Sequence, residues 1–181
     1  MAMSDQDRGE IDQLGRVIVA RESVEGLLQR VADTARQVIN RCDSASVSLA
    51  DEGRVSTWAS TDDAAVRVDE HQYGTDEGPC LAAIRTGEAK FVDSLASDER
   101  WSEFGPRAVD EGMVSMYSIP LKFEEETVGA LNLYSRSKPF AYHDLQAAEA
   151  LADQAAVTLT NVQAYRAVRD RLEQCEGPTT D

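Results

Sequence analysis

Cysteine and histidine are scarce in this chain, which has three cysteines (Cys42, Cys80, Cys175) and two histidines (His71, His143) in 181 residues. The cysteines are scattered without C-x-x-C spacing and are odd in number, so neither a disulfide framework nor a zinc site is expected. Long apolar runs are missing too. Nothing approaches the roughly 18 consecutive apolar residues of a membrane-spanning helix. Residues 1–10 are polar and acidic where a secretory signal would be apolar, so a cytoplasmic location is the expectation. Basic charge is the other shortage: 18 Lys and Arg against 33 Asp and Glu leave a net charge of −15. That field repels phosphate backbones and anionic lipid. The densest basic run, Arg166, Arg169 and Arg171, is interleaved with Asp170, Glu173 and Glu176. Direct binding to nucleic acid or to membrane is therefore not expected.

What is present reads as one folded domain, with 42% hydrophobic and 28% charged residues, ordinary globular proportions. Apolar residues at Ile11, Leu14, Val17 and Ile18 have helical spacing. After Ser23, a candidate N-cap, a stronger amphipathic helix runs through Val24, Leu27, Leu28, Val31, Ala35, Val38 and Ile39. The period then changes to two. Ala45, Val47 and Leu49 alternate with Ser46 and Ser48, Asp51-Glu52-Gly53 turns, and 55–60 returns, which predicts a hairpin. Residues 61–68 read as a polar connection. Gly74 to Cys80 reads as a loop opening a helix, with Thr75 or Asp76 as cap, Pro79 in the first turn and Thr86-Gly87 as the stop. A short strand over 89–93 and a short helix through Trp101, Phe104, Ala108 and Val109 follow. Residues 114–123 alternate, with Pro120 hinting at an edge or a bulge. Residues 128–134 are apolar on both faces except at Asn132, which suits a covered central strand. A final helix runs from about Tyr142 to Gln174 and, at about 50 Å, is longer than such a domain is wide. The fold class expected is α+β, an antiparallel sheet with helices packed on it.

Three segments resemble GAF domains, taken together and in order. They are Gly78-Pro79-Cys80 with the following A-x-x-x-G, the D-x-x-x-x-x-x-x-W-x-x-F segment ending at Phe104, and Ile119-Pro120-Leu121 with V-G-A-L-N-L-Y-S over 128–135. The resemblance spans about 23–168 and is greatest to the GAF domains that precede an ANTAR RNA-binding domain in actinobacterial regulators. It implies a central antiparallel sheet with the terminal helices on one face and a ligand pocket on the other. It also implies small-molecule binding or dimerisation as the function. Nothing after Leu172 resembles an ANTAR bundle. The organisation expected is an N-terminal helical extension over 1–22, the GAF domain over 23–163, and over 164–181 a projecting helix end with a polar tail.

Within that frame, Trp58, Phe91, Trp101, Phe104 and Tyr117 are candidate pocket walls, and Arg107 and Asn132 candidate polar groups on them. Cys80, at a helix start, is a candidate redox thiol or a small buried residue of a tight turn. Leu81 stands where a bilin-binding relative usually has histidine, and His71 and His143 lie in polar surroundings unlike those of a haem ligand. No cofactor and no metal are expected. Leu14 and Ile18, with Leu159, Val162, Tyr165, Val168 and Leu172, would form a four-helix bundle between two copies. No nucleophile–base pair or phosphate-cradling loop is recognisable. The leading expectation is thus a non-catalytic sensor module, a homodimer with an unknown small-molecule ligand and a downstream regulatory partner, in transcriptional or antitermination control. Two alternatives stand beside it: a free methionine-R-sulfoxide reductase acting through Cys80, and a purely structural dimeriser.

Overall fold

In the computed structural model the described residues are 24–175 apart from Glu52 and Glu124, and for 162–175 the backbone alone. The segment carrying Leu14 and Ile18 lies outside them. Helix α1 (Val24–Val38) buries Val24, Leu28, Val31, Ala32 and Ala35, a single stripe at helical spacing. Strands β1 (Ser44–Asp51) and β2 (Arg54–Ser60) form the expected hairpin. Then come α2 (Asp63–Thr75), α3 (Pro79–Thr86), β3 (Lys90–Val92), a 3-10 turn over Glu99–Trp101, and α4 (Phe104–Asp110). The hairpin β4 (Ser115–Phe123) and β5 (Glu126–Ser135) leads into α5 (Tyr142–Cys175).

The five strands make one sheet in the order β2-β1-β5-β4-β3, every neighbouring pair antiparallel. The double-faced run is its centre, β5, covered on both sides. Side chains alternate across each strand, so the sheet divides two cores. On one face Val47, Leu49, Tyr117, Ile119, Leu131 and Leu133 pack against α1 and α5. On the other, Met116, Ala130 and Tyr134 pack against residues of α2, α3 and α4 such as Val68, Cys80, Phe104 and Ala108. Pro120 lies beyond the Met116–Ser118 stretch that pairs with β3, so no third strand needs its missing N–H there. A register shift follows at Leu121/Lys122.

One element differs from the sequence reading. Residues 61–68 are not a connection, because α2 begins at Asp63 and runs to Thr75. The Asp62 carboxylate caps it by accepting from the Ala65 N–H at 2.9 Å. Its buried stripe is Ala65, Val68, Asp69 and Gln72, half of it polar, so apolar spacing alone does not reveal the helix. Consequently Thr75 and Asp76 are not the N-cap of the next helix. Thr75 is the last residue of α2, and Asp76 follows it in the left-handed region at φ 54°. The residue preceding α3 is Gly78, with Pro79 in the first turn and Gly87 at the stop.

Candidate functional site

The sheet face turned toward α2 and α3 is unusually polar for a buried surface. Ser44, Ser46 and Ser48 of β1, Ser118 of β4 and Asn132 of β5 are all fully buried there. The register explains the cluster, since Asn132 sits directly opposite Ser46 on one side and Ser118 on the other. Its Oδ1 accepts from Ser118 Oγ at 2.8 Å. Its Nδ2 faces Ser48 Oγ at 3.0 Å, Ser46 Oγ at 3.3 Å and Asp69 Oδ1 at 3.3 Å. The Cys80 sulfur lies 3.4 Å from the same nitrogen. One amide thus joins three strands and two helices.

Helix α2 supplies the acid. Asp69 is fully buried; its Oδ1 also accepts from the Tyr134 hydroxyl, and its Oδ2 accepts from Thr57 Oγ1 at 2.8 Å. Burial pushes the Asp69 pKa up to about 6, against hydrogen bonds that favour the charge. One turn on, the Tyr73 hydroxyl lies 2.8 Å from Ser48 Oγ and 3.0 Å from Thr57 Oγ1. Tyr73 also lines an open groove of about 430 Å³ with Ala50, Val55, Leu81 and Ile84, flanked by Arg54, Asp76 and Arg85. Arg85 is paired with Asp76.

Helix α2 also organises α3. Gly78 has no side chain to cap that helix, and Gln72 does it instead, its Oε1 accepting from the Cys80 N–H at 2.8 Å. Gln72 Nε2 is buried and has no hydrogen-bond partner among the described residues. Cys80 is fully buried; burial, and after it the Asp69 charge, push its thiol up to about 12. Cys42 lies in the other core, beside α1, and its thiol is likewise pushed up to about 12 by burial. The two thiols belong to opposite sides of the sheet.

The model of the GAF domain family matches residues 21–160. The chain belongs to the GAF family. Solved GAF-fold structures support the architecture. A domain described as part of a two-component sensor histidine kinase of Sinorhizobium meliloti 1021 superposes with a TM-score of 0.68 at 23% identity, covering 82% of this chain and 98% of its own. The type II free methionine-R-sulfoxide reductase of Thermoplasma acidophilum gives 0.63 at 15% identity, over 77% and 94%. The GAF domain of a two-component sensor histidine kinase from Bacillus halodurans gives 0.63 at 16%, over 79% and 97%. No curated protein matches the chain.

The GAF fold distributes the candidate residues of the sequence reading over both faces. Asn132, Phe104 and Trp101 lie on the α2–α3–α4 side, with Asn132 at the centre of the polar cluster. Phe91 and Tyr117 lie on the other, packed edge-to-face with ring centres 6.1 Å apart, and the Tyr117 hydroxyl donates to Glu149 Oε1 of α5 at 2.5 Å. Trp58 has no paired residue opposite it, because β1 passes from Val47↔Ala59 to Ser48↔Thr57, and it lines a second groove along β2 with Arg54, Val55 and Ser56. Arg107 is exposed on α4. Leu159 is buried within the domain, whereas the side chains of Val162, Tyr165, Val168 and Leu172 lie outside the described residues. The residues missed from sequence are Asp69, Gln72 and Tyr73 of α2, and Ser46, Ser48, Thr57 and Ser118 of the strands. Their available signal was serine at period two on β1, at the same parity as Asn132 across the register. None of the described helices is long and apolar enough to cross a membrane.

Proposed function

We propose that this GAF domain is a non-catalytic regulatory sensor that works as a homodimer and passes its signal along α5 to a downstream partner, in transcriptional or antitermination control. The observation that supports it is the length of α5. The helix has 34 residues, Tyr142–Cys175. At about 1.5 Å per residue that is about 50 Å, longer than a domain of this size is wide. Val162, Tyr165, Val168 and Leu172 recur along it at three- and four-residue steps, the spacing of a helix-to-helix seam. Two structural neighbours are domains of sensor histidine kinases, which fits a module of this kind.

Small-molecule input belongs, in this reading, to the face of α2 and α3, where the groove beside Tyr73 adjoins the polar cluster. A second reading has its own support. The cluster fills that face with the chain's own side chains, as a purely structural dimeriser would. Native mass spectrometry of the purified chain separates the two. A dimer carrying a few hundred extra daltons supports the sensor, and a bare dimer that no screened compound stabilises supports the dimeriser. A monomer at micromolar concentration overturns both. The reductase reading requires a reactive thiol, and a fully buried Cys80 with a raised pKa opposes it. Turnover of free methionine-R-sulfoxide that is lost in Cys80→Ser would restore it.

A further inference from the structure

Among the described residues the buried carboxylate of Asp69 has neutral partners only: Tyr134 and Asn132 on Oδ1 and Thr57 on Oδ2, with the Ser46 hydroxyl also favouring its charge. We propose that Asp69 is a proton-sensing site, whose protonation tightens α2 against the sheet and whose ionisation loosens it. The geometry supplies both states. In the charged state Thr57 donates to Oδ2. Its own oxygen can then accept from Tyr73, and the Tyr73 oxygen from Ser48. In the neutral state Oδ2 carries a proton taken from solvent and donates it in a hydrogen bond to Thr57. The chain then reverses: Thr57 donates to Tyr73 and Tyr73 to Ser48. Either hydroxyl can be the donor at the 3.0 Å Thr57–Tyr73 contact and at the 2.8 Å Ser48–Tyr73 contact, so the reversal moves no heavy atom. Oδ2 is the better seat for the proton, because Oδ1 already accepts from two groups, the Tyr134 hydroxyl and the Asn132 amide, and the amide can only donate. Tyr73, the middle of the chain, borders the open groove and brings the path to solvent.

Among the described residues no neighbouring charge compensates the ionised form. The titratable groups around Asp69 are Tyr134 from β5, Cys80 from α3, and Tyr73 and Glu70 from α2, and Glu70 further disfavours a second negative charge. The groups that strands β1 and β2 place around Asp69, Ser46, Ser48 and Thr57, are uncharged. The nearby bases of α2 turn elsewhere, Arg67 and His71 both reaching Glu111 at 2.8 and 3.5 Å. Asp69, Gln72 and Tyr73 all belong to α2, so an uncompensated charge at Asp69 acts on the helix that caps α3 and borders the groove.

The sign follows from linkage. A carboxylate raised from 3.8 to about 6 binds its proton more tightly in the folded state. Its stabilising effect is complete below the ordinary pKa, declines as pH rises between the two values, and is gone above about 6. Asp69→Asn mimics the neutral acid and removes the titration. Thermal and urea unfolding of wild type and D69N from pH 4 to pH 8 should show the variant gaining on wild type up to about pH 6, with a level gap beyond. The gap should grow by roughly a hundred-fold in the unfolding constant. Amide exchange over 63–75, corrected for intrinsic base catalysis, should accelerate across the same range in wild type and stay flat in D69N. The carboxyl carbon-13 shift of Asp69 in wild type should turn over near pH 6. A midpoint near 4, or a gap independent of pH, overturns the proposal. Should D69N fail to fold, the carbon-13 titration of wild type decides alone.

Discussion

At the scale of single residues, Asn132 and Gly78 carry more than their size indicates. Replacing Asn132 with leucine leaves Ser46, Ser48, Ser118 and Asp69 facing an apolar side chain in a fully buried site. The expected cost is about 3 kcal/mol, because several desolvated polar groups lose a partner together. Urea unfolding measures it, and Ser118→Ala, which removes one hydroxyl from the same amide, should cost about 1 kcal/mol by the same method. Gly78 is constrained twice. Its φ of 140° is one that side chains rarely adopt, and a Cβ there would stand 2.3 Å from Gln72 Oε1. Gly78→Ala should therefore destabilise by about 2–4 kcal/mol, the sum of backbone strain and a clash with a side chain that is itself pinned. The two causes separate in a double-mutant cycle, since Gln72→Ala removes the clash while leaving φ unchanged. A coupling energy near zero between positions 72 and 78 would show that backbone strain alone makes the glycine necessary.

At the scale of elements, α2 explains both what the sequence reveals and what it hides. Strand β5 is legible because five of its residues from Ala130 to Tyr134 are buried whichever face they take, and four of those are apolar. Helix α3 is legible from its ends, Pro79 in the first turn and Gly87 at the stop, which are local backbone requirements. Helix α2 is not, because its inner stripe carries Asp69 and Gln72, the residues that bond to the polar face of the sheet. Hydrophobic spacing fails there for the reason that the site exists, so the missed helix and the missed site are one omission. The aromatic candidates scatter for a simpler reason: period two sends Tyr117 and Ser118 to opposite faces, and only Ser118 meets Asn132. Tyr117 instead ties β4 to α5 through Glu149. Removing that bond in Tyr117→Phe should cost about 1 kcal/mol, the net worth of an ordinary hydrogen bond, because Glu149 is exposed and water replaces the lost donor. The loss should appear as faster amide exchange around Glu149, with 63–75 unaffected.

At the scale of the molecule, the acidic surface and the long helix would act against each other in the proposed homodimer. Each chain carries a net charge of −15, so the proposed homodimer would bring two strongly negative bodies together, and apolar burial along α5 would have to exceed that repulsion. Repulsion between exposed charges weakens as the screening length falls from about 10 Å at 0.1 M salt to about 3 Å at 1 M. Apolar burial is not weakened by screening. Association should therefore strengthen as sodium chloride rises from about 0.05 to 0.5 M, by roughly tenfold if screening removes about 1.4 kcal/mol of repulsion. Sedimentation equilibrium across that range measures it. A dimer that instead loosens with salt would place ion pairs between copies at the centre of the interface. The basic residues Arg166, Arg169 and Arg171, alternating with Asp170 and Glu173 along the same stretch, are the side chains that could supply them. Charge-reversed variants at Arg169 and Glu173 then decide between the two. Under the apolar seam each single reversal changes affinity only through net charge, Glu173→Lys strengthening the dimer and Arg169→Glu weakening it. Under ion pairing both single reversals weaken it, and the double reversal recovers part of the loss.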